Sequence, residues 1–285
     1  MSTNAVFLVA VSTVTLTAPL ILAGLGGLTS ERSGVMNIAL EGKMLSAACA
    51  TALIATATGS AVLGLLGGLV AGILMSLLHG LLTQMYRLDH IISGMGINLL
   101  AVGLTSLFAK SLTDPDTSGR APMLPIQIYW VLALISTIGM VFYLRRTRGG
   151  LRLLATGNSP SKSRQMGLEP VKIRYYALVA TGVFCGLAGA LIVTNAGSFT
   201  DNMTAGRGYI ALAALILGSW RPVPMLFACA LFGFLEALQL QLQGSQLFAA
   251  DIPSVFWSAL PYLVTLVALA GFLGRSRPPA GLGEH

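Results

Sequence analysis

Thirteen residues, ERSGVMNIALEGK at 31–43, carry Glu31, Arg32, Glu41 and Lys43 between two long apolar runs. Asn37 and Glu41 lie four apart, so a helix through this stretch would place both on one face. Asn98, in GMGINLLAVG, and Glu236, in FGFLEALQLQLQ, are further polar groups set in apolar segments. Such groups either hydrogen-bond helices to one another or line a route for a polar solute. Asn37, Glu41, Asn98 and Glu236 are the candidates for that route, and all four also fit the structural role. An ionised Glu236 facing lipid would cost several kcal/mol, so it must face protein or water, or be protonated.

The patterns that carry covalent or metal chemistry are missing. Gly42 and Lys43 form the only GK pair, but Asn37 and Met44 stand where a phosphate-cradling GxxxxGK[ST] loop needs Gly and Ser or Thr. His79, His90 and His285 have no metal-ligand spacing, and no HExxH, CxxC or GxSxG occurs. An enzyme would need a visibly paired nucleophile and base. No metal and no cofactor is expected. Cys49, Cys185 and Cys229 all fall inside apolar runs and read as small packing residues.

The elements that must position these polar groups are membrane helices. The chain has 285 residues, of which 55% are hydrophobic and 9% charged. A soluble domain carries about 25% charged residues. A helix needs about 20 apolar residues to cross the hydrocarbon core, and lipid satisfies no free backbone groups. These rules predict an all-α, polytopic transmembrane bundle in one domain, 1–285. About nine spans are expected, near 4–28, 36–57, 61–84, 91–110, 128–145, 174–195, 207–220, 222–242 and 254–273. The seventh is short, so AGRGYIALAALILGSWRPVP is either a crossing or a re-entrant half-helix. The first run has no cations before it and no convincing cleavage site, so it is expected to stay in the membrane.

The net charge of +7 does not point to nucleic acid, because the cations sit in short segments between apolar spans. Placing the loop 146–173 in the cytoplasm gathers most of them on that side, among them Arg32, Arg87, Arg145, Arg146, Arg148, Arg152, Lys162, Arg164 and Arg174. The positive-inside rule then predicts an N-terminus outside and a C-terminus in the cytoplasm. Lys43 is expected to snorkel to the inner interface. Gly64, Gly68, Gly72, Ser76 and Gly80 recur at every fourth residue, and Gly182, Gly186 and Ala190 repeat the device, which lets neighbouring backbones approach closely. His79, beside that face, reads as an interhelical hydrogen-bonding residue.

Three segments resemble a known family. PLILAGLGGLTSERSGVMNIALEGKMLSAA, 19–48, is similar to the signature of permease subunits of ATP-binding-cassette importers in the branched-chain amino acid, simple sugar and nucleoside branch, and its ERSGVMNIALEG form most resembles the nucleoside-type members. In RTRGGLRLLATGNSPSKSRQMGLEPVKIRYYALVATGVFCGLAGAL, 146–191, Gly150, Leu151, Ala155, Gly157, Pro160 and Gly167 match the family's cytoplasmic segment. Leu154 stands where the family often has Arg, and Ser159 where it usually has Asn. TDNMTAGRGYIALAALILGSWRPVP, 200–224, looks like its Gly-rich entry into the later helices.

The resemblance implies a non-catalytic permease in the bacterial inner membrane, most similar to nucleoside permeases, with simple sugars as the alternative cargo. It implies three partners: a cytoplasmic ABC ATPase subunit, a second and related permease subunit, and an extracytoplasmic substrate-binding lipoprotein. It also implies that a cytoplasmic loop passes the ATPase's movement to the bundle, here through Gly157, Asn158, Ser159, Pro160, Arg164, Met166 and Gly167. The residues suit that role: Gly157, Asn158 and Ser159 favour a turn, Pro160 starts a short helix, and Gly167 ends it. An ordinary positive-inside loop is the plain alternative. An autonomous secondary transporter, a different class, would need midplane ion sites and inverted repeats, and no convincing repeat is seen.

Overall fold

A computed structural model of the chain describes residues 3–112, 122–243, Leu263 and 277–284. Every regular element among the described residues is helical: α1 Thr3–Arg32, α2 Leu40–Thr58, α3 Ala61–Gly80, α4 His90–Leu112, α5 Ile126–Arg146, α6 Arg148–Asn158, α7 Pro160–Gln165, α8 Pro170–Ala196, α9 Arg207–Leu217 and α10 Pro222–Gln243. A π-helical turn, Leu81–Met85, continues α3.

Among the described residues, six helices are long and apolar enough to cross a bilayer: Phe7–Arg32, Ala61–Met85, His90–Ala109, Ile126–Arg146, Pro170–Ala196 and Pro222–Gln241. The expected second span, α2, opens with Glu41 and Lys43, which lower its hydropathy, and α2 is buried along most of its length by other helices. The expected seventh, α9, has 11 residues and so is about 16 Å long at 1.5 Å per residue, about half of the ~30 Å needed. Of the two readings of that segment, the half-length helix is the one observed. The expected span at 254–273 lies outside the described residues, apart from Leu263.

Burial orders the bundle. In α8, 72% of the apolar stretch is buried, against 22% in α3 and α5, so α8 runs through the interior and the other two lie at the surface. The four-residue repeat of small residues explains how α3 packs inward. A Cβ at Gly72 would stand 2.4 Å from the Gly182 carbonyl oxygen, and one at Gly182 would stand 2.5 Å from Ile73 Cα. Lipid tails are as apolar as leucine, so close van der Waals contact is what joins α3 to α8. The three cysteines are buried and free, as their settings predict.

The first break in the bundle follows from ERSG. Gly34, at φ +98, ends α1, and the bonds Gly34 N–H to Glu31 O and Val35 N–H to Ser30 O, both 3.0 Å, form the glycine-terminated cap that closes a helix C-terminus. The helix resumes only at Leu40. Asn37 therefore sits in unwound chain, and the expectation that it shares a helical face with Glu41 does not hold.

Candidate functional site

Glu31, buried at the end of α1, accepts from Asn37 N–H at 3.2 Å and from Trp220 Nε1–H. Ser219 and Trp220 both have positive φ, at 52° and 53°, an uncommon conformation for residues with side chains. The turn between α9 and α10 is held in it by Glu31 and by Arg32, whose Nε donates to Trp220 O at 2.7 Å. Asn37 Nδ2 donates to Ser30 Oγ at 2.9 Å, and Lys43 Nζ donates to Asn37 Oδ1 at 2.9 Å. Lys43 also lies 3.2 Å from His79 Nδ1 and is fully buried, so it does not snorkel to the interface. Its Asn37 and His79 partners fix its amine inside the bundle, where a stem alone would have let it reach out. His79 makes the interhelical contact expected of it.

Two backbone amides converge on Glu41. Gly206 N–H donates to one carboxylate oxygen at 2.7 Å and Gly208 N–H to the other at 2.6 Å. These are free amides at the start of α9, where a carboxylate is favoured both by hydrogen bonding and by the helix dipole. Gly208 leaves no room for a side chain, since a Cβ there would stand 2.5 Å from Glu41 N. Asn98 of α4 accepts from Gly42 N–H at 2.8 Å and donates to Ile38 O at 3.0 Å and to Tyr209 Oη at 2.9 Å. Asn37, Glu41 and Asn98 are thus buried in one connected polar region around the break. Glu236 lies elsewhere, half-buried in an ion pair with Arg207 that ties α10 to α9.

Residues 148–165 fold into two helices. Thr147 Oγ1 accepts from Gly150 N–H at 3.0 Å and caps α6. Ser159 Oγ accepts from Lys162 N–H at 3.4 Å and caps α7, with Pro160 at its first position. Gly167, φ +78, ends α7 with the same bond pattern as Gly34, Gly167 N–H to Arg164 O and Leu168 N–H to Ser163 O. Gly157 and Asn158 belong to α6, which corrects the expected turn: only Ser159 is extended between the two helices. Pro160 and Ser163 are buried, while Asn158, Arg164 and Met166 are exposed on the outward side.

Gly157 joins this segment to the first break. A Cβ there would stand 2.1 Å from Arg32 O, so α6 rests directly on the end of α1. The C-terminal tail reinforces the junction: Gly281 N–H donates to Gly157 O and Gly283 N–H to Gly34 O, both at 2.9 Å. Arg174, at the start of α8, donates to Ser33 O at 3.3 Å and to Gln84 Oε1 at 2.9 Å. Sequence reasoning missed Arg174, Trp220, Tyr209 and the tail. The Gly206–Gly208 pair was the one available signal, because glycines flanking a helix start mark a place where backbone amides approach an anion.

A bundle of apolar helices broken at two places, with α6 seated on one break, defines a multi-pass membrane protein. The chain belongs to the family described as branched-chain amino acid transport system / permease component, whose model matches residues 9–269. It is accordingly a non-catalytic permease, and ATP hydrolysis falls to a separate partner. Guanosine ABC transporter permease protein NupQ of Bacillus subtilis is 36% identical over 95% of this chain and 94% of its own. A protein assigned to glucose ABC transport, TsgC13 of Haloferax volcanii, is 34% identical over 91% and 89%. Nucleoside ABC transporter permease protein NupC of Lactococcus lactis is 30% identical over 94% and 92%. In solved structures, a chain of an inward-facing metal-chelate type ABC transporter matches with TM-score 0.53 at 13% identity, covering 94% of this chain and 98% of that one, a likeness of fold alone.

Proposed function

We propose that this permease imports nucleosides, with its N-terminus outside and its C-terminus in the cytoplasm. The observation that carries the cargo is the similarity to NupQ along nearly the whole of both chains, joined to the ERSGVMNIALEG signature. Sidedness is supported by the cation placement and by the way Arg32, Arg174, Gln84 and Gly157 meet at one end of the bundle.

In this reading α7 is the coupling helix. Arg164 and Met166, with Asn158, present the outward surface to the ATPase, while Gly157, Ser159, Pro160 and Gly167 set its position. Movement of α7 reaches the α1–α2 break through Gly157. Glu41, Asn37 and Asn98 hold the break together as it moves, and Glu236 with Arg207 is the polar pair left for the solute path. A second, related permease completes the path, and an extracytoplasmic binding lipoprotein delivers the cargo. The 34% identity to TsgC13 favours a simple sugar as the second reading.

Uptake of labelled purine and pyrimidine nucleosides by cells carrying or lacking this chain distinguishes the two. Loss of nucleoside uptake without competition by ribose is the expected result. Unchanged nucleoside uptake with lost sugar uptake would transfer the cargo to sugars.

A further inference from the structure

A cleft of ≈ 600 Å³ lies between α5 and α8, with α6 across its lower end. Its walls include Ile135, Met140 and Tyr143 of α5 and Tyr176 and Phe184 of α8, and among the described residues the only charged one lining it is Arg152 of α6. The lining runs from Ile135 to Tyr143 on α5, about 12 Å, and from Ile173 to Phe184 on α8, about 16 Å, at 1.5 Å per helical residue. One leaflet of hydrocarbon is about 15 Å deep, half of the ~30 Å core. The two walls therefore bracket the depth of one leaflet, and Arg152 brings a guanidinium to the lining.

The outward side of α6 matches the boundary between headgroups and tails. Arg148, Leu151 and Arg152 share one exposed face, and Leu151, an apolar side chain 61% exposed, stands between the two arginines. That combination suits a helix lying in the membrane interface. Arg145 and Arg146 end α5 beside it. Glu169, the next acid along the chain, is already paired with Lys172 at 2.8 Å. The cleft thus offers apolar walls and, among the described residues, a positive charge with no acidic partner in its lining, the complement of a lipid tail and an anionic headgroup.

We propose that this cleft binds one anionic phospholipid, an acyl chain lying between α5 and α8 and the phosphate held at Arg152. Placing that lipid in the cytoplasmic leaflet rests on the sidedness given above, whereas binding itself does not. A free phosphate ion would use Arg152 but leave the apolar length unfilled.

The test uses the purified permease–ATPase complex supplied with phosphatidylglycerol or phosphatidylcholine, with retained lipid read by native mass spectrometry. The wild-type complex should retain phosphatidylglycerol preferentially, and Arg152→Gln should reduce that preference about fivefold, the weight of one arginine near an anionic surface. Gly139→Leu projects into the cleft from a position where an added Cβ meets nothing within 4 Å, so the helix tolerates it. It should lower retention of both lipids. A photoreactive group attached at Ser136→Cys should label lipid. Equal retention by Arg152→Gln and wild type, or labelling of the second permease from position 136, would overturn the proposal. Neither outcome depends on which solute is carried.

Discussion

A Glu41→Ala chain should lose about 2–4 kcal/mol of folding stability, because it strands one buried and one part-buried amide at once, and a fully buried one costs about 1–3 kcal/mol. The amides are those of Gly206 and Gly208, and Glu41 accepts from both. The alanine also removes the negative charge from the start of α9, which favours it there. Against a total stability of about 5–15 kcal/mol, such a loss is large. Thermal unfolding of the solubilised complex should show a clearly lowered Tm, with less folded protein recovered. Glu41→Gln keeps one acceptor oxygen and turns an N–H donor toward the other amide, so its loss should be intermediate. Glu236→Gln is the contrast: that pair is 21–22% exposed and should cost about 1 kcal/mol or less. A Glu41→Ala complex that melts like the wild type would mean that α9 is anchored by other contacts.

Gly157→Ala should reduce uptake by about 5–150-fold while leaving the permease in the membrane and bound to its ATPase. Its added Cβ would stand 2.1 Å from Arg32 O and 2.7 Å from Arg32 C, both backbone atoms that cannot rotate aside. The junction between α6 and α1 must open to admit it. If that junction transmits the movement of α7, a strain of about 1–3 kcal/mol on the closed arrangement shifts the coupling by the stated factor. Gly103→Ala, on α4, meets nothing within 4 Å and should transport normally. Gly167→Ala falls between them, since its φ of +78 strains an alanine although the space is open. Gly157→Ala with normal uptake would remove Gly157 from the coupling route.

What could be read from the sequence was local. Ser159, Pro160 and Gly167 carry the caps of a short helix, and α7 forms between them as that spacing predicts. The small-residue repeats likewise marked faces of α3 and α8 on which neighbouring backbones approach closely, though not which helices would meet. Partners distant in the chain left no such mark. Glu41 is satisfied by amides more than 160 residues away, and Lys43 by His79, 36 residues on. A lysine between apolar residues has the same pattern whether it snorkels or is enclosed, and only the neighbouring helix decides. Asn37 was placed on a helical face because its four-residue spacing from Glu41 is helical, but the cap at Gly34 delays the restart to Leu40. Two of the expected spans, α2 and α9, are not among the six long apolar helices of the described residues for a related reason. Hydropathy marks burial from water, and α2 and α9 are buried by protein as much as by lipid.

The most direct measurement is transport in vesicles reconstituted from purified components, with labelled guanosine supplied to the binding lipoprotein and ATP to the ATPase. Guanosine should accumulate only when this chain, its partner permease, the ATPase, the lipoprotein and hydrolysable ATP are all present, and an imposed proton or sodium gradient should not replace ATP. Accumulation by this chain alone, driven by an ion gradient without ATP, would contradict its assignment as the permease of an ATP-driven importer.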